Sequence, residues 1–190
     1  MGKHPRNLNR GDCLEPTAAT LLKKPLEFIH EDHLRERQIC TLIDGVAQGS
    51  APDEDTVLAI LSFLTHELPL HLKDEEEDLF PLLRRRCEPE DEIEKVIAKL
   101  RSDHVHADED TPRIAALLEG LANEARGPEP DESDMLLAYA SNARRHLILE
   151  NAIILPFARL RLTETDIETL YIRMCQRRGL DSLKEQRDAQ

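Results

Sequence analysis

His71 and Glu75 stand four residues apart, and the same pair recurs 75 residues later as His146 and Glu150. In each copy a proline follows the glutamate by six residues, at Pro81 and Pro156. Residues at i and i+4 share one face of an α-helix, so each copy aims an imidazole and a carboxylate in one direction, as a pair of metal ligands would be aimed. Two such pairs can share one site. The chemistry on offer is coordination of a cation by nitrogen and oxygen donors.

The elements that must carry these pairs follow from the apolar periodicity. A first helix runs from about Lys24 to Gln48, with Leu26, Ile29, His33, Cys40 and Ile43 on one stripe. A second opens at Pro52-Asp53-Glu54, where proline and acids suit a helix start, and lines up Leu64, Leu68, His71, Glu75, Leu79 and Leu82. The third, from Pro89-Glu90-Asp91, carries Ile93, Ile97, Leu100, His104, Ile114, Leu118 and Leu121, with Pro112 expected to kink it. The fourth, from about Asp131 to Leu162, aligns Met135, Tyr139, Ala143, His146, Glu150, Ile153, Phe157 and Leu160. A shorter fifth helix is expected to start at Thr165, with Glu168 completing a capping box, and to end at Gly179.

Four long amphipathic helices joined by short turns predict an all-α, up-down-up-down four-helix bundle with a short fifth C-terminal helix. The domain plan is an N-terminal arm over residues 1–22, the bundle over 23–162 and the C-terminal helix and tail over 163–190. Each long helix places one histidine mid-stripe: His33, His71, His104 and His146. The 71-residue offset from His33 to His104 and the 75-residue offset from His71 to His146 predict a pseudo-twofold relation between the halves.

Burying four imidazoles and two carboxylates together is costly unless something compensates their charge and hydrogen-bonding needs. Two divalent cations would satisfy all six. The competing structural account is a buried His-Glu hydrogen-bond network without metal. Of the other histidines, His66 and His30 have mixed apolar and polar neighbours and are left as additional imidazole ligands or supporting groups. His106 lies on a solvated face, and His4 lies in the arm. Within the acidic run from Asp74 to Asp78, helical geometry sends Glu75 inward and Glu76, Glu77 and Asp78 to solvent. Arg84-Arg85-Arg86 and Arg177-Arg178 sit near helix C-termini, where cations complement the dipole.

Composition narrows the class. A formal charge of −13 suits neither nucleic acid nor an anionic membrane surface. Aromatics at 3% favour helices over sheet, and no window approaches the run of about 18 apolar residues that a membrane span needs. The N-terminus lacks an apolar signal run, so a cytoplasmic protein is expected. Cys13, Cys40, Cys87 and Cys175 show no C-x-x-C pairing and read as reduced thiols, with Cys40 and Cys175 in the core.

With these residues in place, the chain resembles the hemerythrin-like, or HHE cation-binding, family over roughly Pro25 to Leu162. The likeness rests on His71-Leu-Lys-Asp-Glu75-Glu-Glu-Asp-Leu-Phe-Pro81 and on His146-Leu-Ile-Leu-Glu150-Asn-Ala-Ile-Ile-Leu-Pro156, with His33 and His104 matching the single histidines of the first and third helices. The resemblance implies a non-haem di-iron centre, oxo- or hydroxo-bridged, with Glu75 and Glu150 bridging and His33, His71, His104 and His146 as terminal ligands. Donor type alone leaves manganese or zinc open. Oxygen-carrying hemerythrins use five histidines, and this chain places four in the pattern. The function expected is therefore a protein that binds or senses a small diatomic ligand, oxygen or nitric oxide. The alternatives are a di-iron enzyme of iron-centre repair or of peroxide or nitric oxide detoxification, and an interaction module with a structural metal. The fifth helix either covers the bundle or forms a homodimer contact.

Overall fold

Proline at the start of a helix costs no hydrogen bond and presets φ, and two of the long helices begin that way. The computed structural model describes residues 15–49 and 51–180. His4, Cys13 and the tail beyond 180 lie outside the described residues. Helix α1 spans Pro25–Gln48. Helix α2 begins as Glu54–Ser62, capped by the Asp53 carboxylate accepting from the Thr56 amide, and continues to Arg86 as one helical path. Two turns of that path are π-helical, Phe63–Glu67 and Asp74–Leu79. After a short 3₁₀ turn at Pro89–Asp91, α3 spans Ile93–Asn123. Helix α4 starts as Pro130–Leu149, widens into a π-turn at Glu150–Ile154 and ends as Leu155–Arg161. Helix α5 spans Glu164–Arg177.

The described residues contain no strand, and α1 packs along α4, α4 along α3, α3 along α2 and α2 along α1. That cyclic adjacency is the up-down-up-down bundle.

All three π-turns have the same cause. Pro69, Pro81 and Pro156 each stand second in the α-helical stretch that follows one. A proline ring presses on the carbonyl four residues back and donates no N–H, and an added residue in that turn relieves both problems. Two of these turns contain Glu75 and Glu150. The repeated Glu-to-Pro spacing is thus what widens the helix where each glutamate sits.

The interior is layered. One apolar cluster, including Phe28, Ile29, Phe80, Leu83, Ile97 and Ile154, fills the end of the bundle near α5. A second, including Ile39, Ile43, Ile60, Leu64, Leu118 and Leu136, fills the other end. The histidines and glutamates of the repeat lie between the two along every long helix. Each buried Leu or Ile contributes on the order of 1.5–3 kcal/mol, and the two layers offset the cost of the polar one.

Several expectations change. Helix α3 runs unbroken through Pro112, which sits on the exposed face. On α4, Met135 and Leu160 are exposed, and the inward face is instead Leu136, Ala140, Leu147, Ile154 and Ala158; the π-turn shifts the register beyond Glu150, whereas before it the stripe is set one residue later than Met135. Helix α5 starts earlier than the Thr165 pattern suggests: Thr163 and Asp166 form the capping box. Leu22, assigned to the arm, is 1% exposed in the core beside a 3₁₀ turn at Ala19–Lys23. Cys40 is buried, whereas Cys175 is half-buried. No helix of the described residues is long and apolar enough to cross a membrane.

Candidate metal centre

His33 comes from α1, His71 and Glu75 from α2, His104 from α3, and His146 and Glu150 from α4. All six are buried, the two glutamates at 0% exposure. Their ligand atoms form two overlapping groups, His33-His71-Glu75-Glu150 and Glu75-His104-His146-Glu150, within each of which the atoms lie within 4.8 Å of one another. Both glutamates belong to both groups.

The distances show how they are shared. His33 Nε2 lies 3.5 Å from Glu75 Oε1 and 3.3 Å from Glu150 Oε2. Glu75 Oε2 lies 3.7 Å from His71 Nε2 and 3.5 Å from His104 Nε2. Glu150 Oε1 lies 2.9 Å from His146 Nε2, without a hydrogen-bonding angle, and 3.9 Å from His104 Nε2. The Nε2 atoms of His104 and His146 face each other at 3.0 Å. Ligand atoms about 2.1 Å from one cation sit about 3–3.5 Å apart, so most of these spacings suit donors converging on a cation.

Hydrogen bonding gives an independent test of fit. All four carboxylate oxygens of Glu75 and Glu150, together with His33 Nε2 and His71 Nε2, are buried without a hydrogen-bond partner. An unmade bond at a buried polar atom costs about 1–3 kcal/mol, and donor atoms left open in this way fit cation binding at the shared positions.

Charge follows geometry. Burial pulls the His146 imidazole down, but the Glu150 charge outweighs it and pushes the group up to about 9. His71 is likewise raised well above its ordinary value: burial opposes the shift, and Glu75 and Asp32 drive it. Burial raises Glu150, yet the His146 and His33 charges carry it well below the carboxylate range. Without cations, protons hold the layer together.

Each of the four histidines faces a polar side chain from behind, but only His104 and His33 are hydrogen-bonded there, and the Nδ1 atoms of His71 and His146 are buried without a hydrogen-bond partner. His71 Nδ1 faces Asp32 at 3.8 Å, His104 Nδ1 faces Glu76 at 2.9 Å, His146 Nδ1 faces Asp103 at 3.7 Å, and His33 Nδ1 pairs with Asn151 at 3.2 Å. The supporting residue always comes from the preceding helix around the bundle: α1 serves α2, α2 serves α3, α3 serves α4 and α4 serves α1. Outer partners of this kind fix the ring orientation and leave Nε2 for a metal. The sequence reading missed this ring, although a signal was present: Asp32 and Asp103 directly precede His33 and His104, and Glu76 and Asn151 directly follow Glu75 and Glu150.

The additional histidines separate. His66 is exposed and bonded to Thr65 and Ser62, away from the cluster. His30 is half-buried and pairs with Asn151 Oδ1 at 3.1 Å, which makes it a neighbour of the supporting ring. His106 is exposed, as its solvated face implies.

The acidic run also departs from expectation. Asp74 and Asp78 are buried, at 0% and 3% exposure, because α5 covers that side of α2. Arg178 donates to Asp74 through both terminal nitrogens, at 3.1 and 2.6 Å, and Arg177 pairs with Asp74 and, at 2.7 Å, with Asp78. Arg173 holds Asp78 from the same helix at 2.8 Å. These arginines clamp the π-turn that bears Glu75, a role beyond complementing a helix dipole.

Access to the layer is one-sided. His33 is 0% exposed and His71 2%, whereas His104 is 4% and His146 8%. A cavity of about 580 Å³ opens between α3 and α4 and has His104 and His146 among its walls.

An all-helical bundle with a buried, glutamate-bridged pair of histidine-carboxylate groups defines a cation-binding protein. Residues 24–158 match the hemerythrin HHE cation binding domain, and the chain belongs to that family. A relative from Haemophilus influenzae (strain ATCC 51907 / DSM 11121 / KW20 / Rd), described as an uncharacterized protein, is 25% identical over 149 residues, covering 74% of this chain and 82% of its own length.

Proposed function

We propose that the chain holds two iron ions and uses them to bind or sense a small diatomic ligand, oxygen or nitric oxide. Glu75 and Glu150 would bridge the ions, with His33 and His71 completing one position and His104 and His146 the other. The observation that carries this reading is the pair of overlapping groups sharing two unpartnered glutamates. A donor set of imidazole and carboxylate without thiolate suits iron. Two imidazoles per position leave coordination sites for an added ligand, and the cavity reaches the His104-His146 position from solvent. Bound iron would supply reversible ligand affinity. The protein's own groups give the approach an apolar wall in Leu68, Leu72 and Leu149 and hold the His104 imidazole through Glu76.

Anaerobic iron titration tests this. Two metals per chain are expected, followed by an optical adduct with oxygen or nitric oxide that reverses when the gas is removed. Stoichiometry near zero overturns the metal assignment, and steady consumption of peroxide or nitric oxide replaces the sensing role with an enzymatic one.

A further inference from the structure

The cavity between α3 and α4 is far larger than a diatomic molecule needs. At about 580 Å³ it falls within the range of pockets that hold organic ligands. Leu68, Leu72, Tyr139, Ala143 and Leu149 supply its apolar wall, and Lys99, Asp110 and Arg145 stand among its charged lining. One polar side chain lines it from the far side. Glu36, on α1, is 7% exposed and makes no hydrogen bond or ion pair with any described residue. The hydroxyl of Tyr139 is already engaged with Thr111 Oγ1 at 2.9 Å. Glu36 therefore remains as a largely buried carboxyl group on the cavity wall that no described side chain partners, and a ligand in the cavity can supply the partner.

The surroundings restrict what that partner can be. Burial, with help from the Glu150 charge, raises the Glu36 carboxyl above the usual range, although His71, His146 and His33 pull against it. In either protonation state a carboxyl group presents an oxygen that accepts a hydrogen bond, the complement of a hydroxyl donor. A cationic amine would meet the imidazoles, and an anion would meet Glu150 and Glu36 itself.

We propose that this cavity binds a small neutral organic hydroxyl compound of the phenol or alcohol class, anchored at its O–H by Glu36 and packed against Leu68, Leu72 and Leu149. The site does not depend on the identity of the metal, or on any metal being bound. Phenol and toluene differ by little more than the hydroxyl, so they isolate the anchor.

Calorimetric titration of both into the full chain, metal-free and zinc-loaded, is the test. Phenol should bind ten- to a hundredfold more tightly than toluene, the span expected when a buried polar group is otherwise left unpaired. Glu36→Leu should erase that preference, Glu36→Gln should retain much of it, and Ala143→Phe should block both ligands. If Glu36→Leu does not fold, Glu36→Gln and Ala143→Phe carry the comparison. Equal affinities in the wild type, no binding of either, or a preference that survives Glu36→Leu overturns the proposal. Failure of zinc to bind, with the phenol preference intact, would count against the metal reading alone.

Discussion

Arg178→Ala should destabilise this protein far more than removal of a surface arginine. Arg178 grips Asp74 through two bonds, with side-chain exposures of 13% and 0%, and its guanidinium lies 4.8 Å from the Phe28 ring centroid. Leaving a buried carboxylate wholly unpaired costs about 3–5 kcal/mol, but Arg177 still holds Asp74, so roughly half of that applies. The lost cation-π contact adds about 0.5–1 kcal/mol, for a sum of about 2–3 kcal/mol. In a chain of this size that lowers the thermal midpoint by about 4–12 °C. Burial already raises the Asp74 carboxyl against the pull of Arg178 and Arg177. Without Arg178 it rises further, so the deficit should be largest near neutral pH and shrink as acid protonates Asp74. Thermal unfolding by circular dichroism at several pH values reads this directly. Adding Asp74→Asn to the variant should recover part of the loss, because the stranded charge goes with it. A change within about 0.5 kcal/mol, or a deficit indifferent to Asp74→Asn, would refute the clamp.

Three further outcomes follow from the same geometry. Glu75→Ala or Glu150→Ala should abolish binding of the second metal, read as metals per chain by elemental analysis, since each glutamate serves both groups; two metals retained would remove the bridge. The metal-free chain should lose stability as pH rises from about 6.5 to about 9: His146 is raised, so its contribution is complete below the unfolded value and disappears through the folded one. The zinc-loaded chain should not show that loss, and parallel curves in the two forms would contradict the proton-for-metal exchange. Asn151→Asp should tighten metal binding, because a carboxylate behind His33 strengthens the imidazole as a ligand; unchanged affinity in a competitive chelator titration would show that this partner has no influence.

The six cluster residues were legible because helical spacing alone places His71 with Glu75 and His146 with Glu150, and because one histidine interrupts each apolar stripe. The bundle was legible for the same reason. What escaped depended on neighbours distant in sequence. Asp78 reads as solvent-facing until α5 is known to lie across α2, and the arginines of α5 read as dipole partners until Asp74 is seen beneath them. The supporting ring joins residues 28 to 118 positions apart, so although its members adjoin cluster residues in sequence, that adjacency does not reveal which imidazole each one faces. Pro81 and Pro156 did announce something special after each glutamate, but not that the backbone answers with a π-turn.

These features bear on one physical problem. A layer of imidazoles and carboxylates splits the apolar interior in two, and in the absence of cations its glutamates depend on protonated histidines for compensation. Orientation must therefore be imposed from outside the layer. Glu76 and Asn151 hydrogen-bond His104 and His33, Asp32 and Asp103 face His71 and His146 at 3.8 and 3.7 Å, and α5 fixes the π-turn that presents Glu75. Three of the ring members are carboxylates and the fourth is an amide, which also partners His30. The imidazole with the weakest electrostatic support is thus His33, on the closed side of the bundle, and the cavity opens beside the two backed by Asp103 and Glu76. The repeat makes two similar halves, and the surrounding residues make them unequal: one is sealed, and the other is open to a ligand.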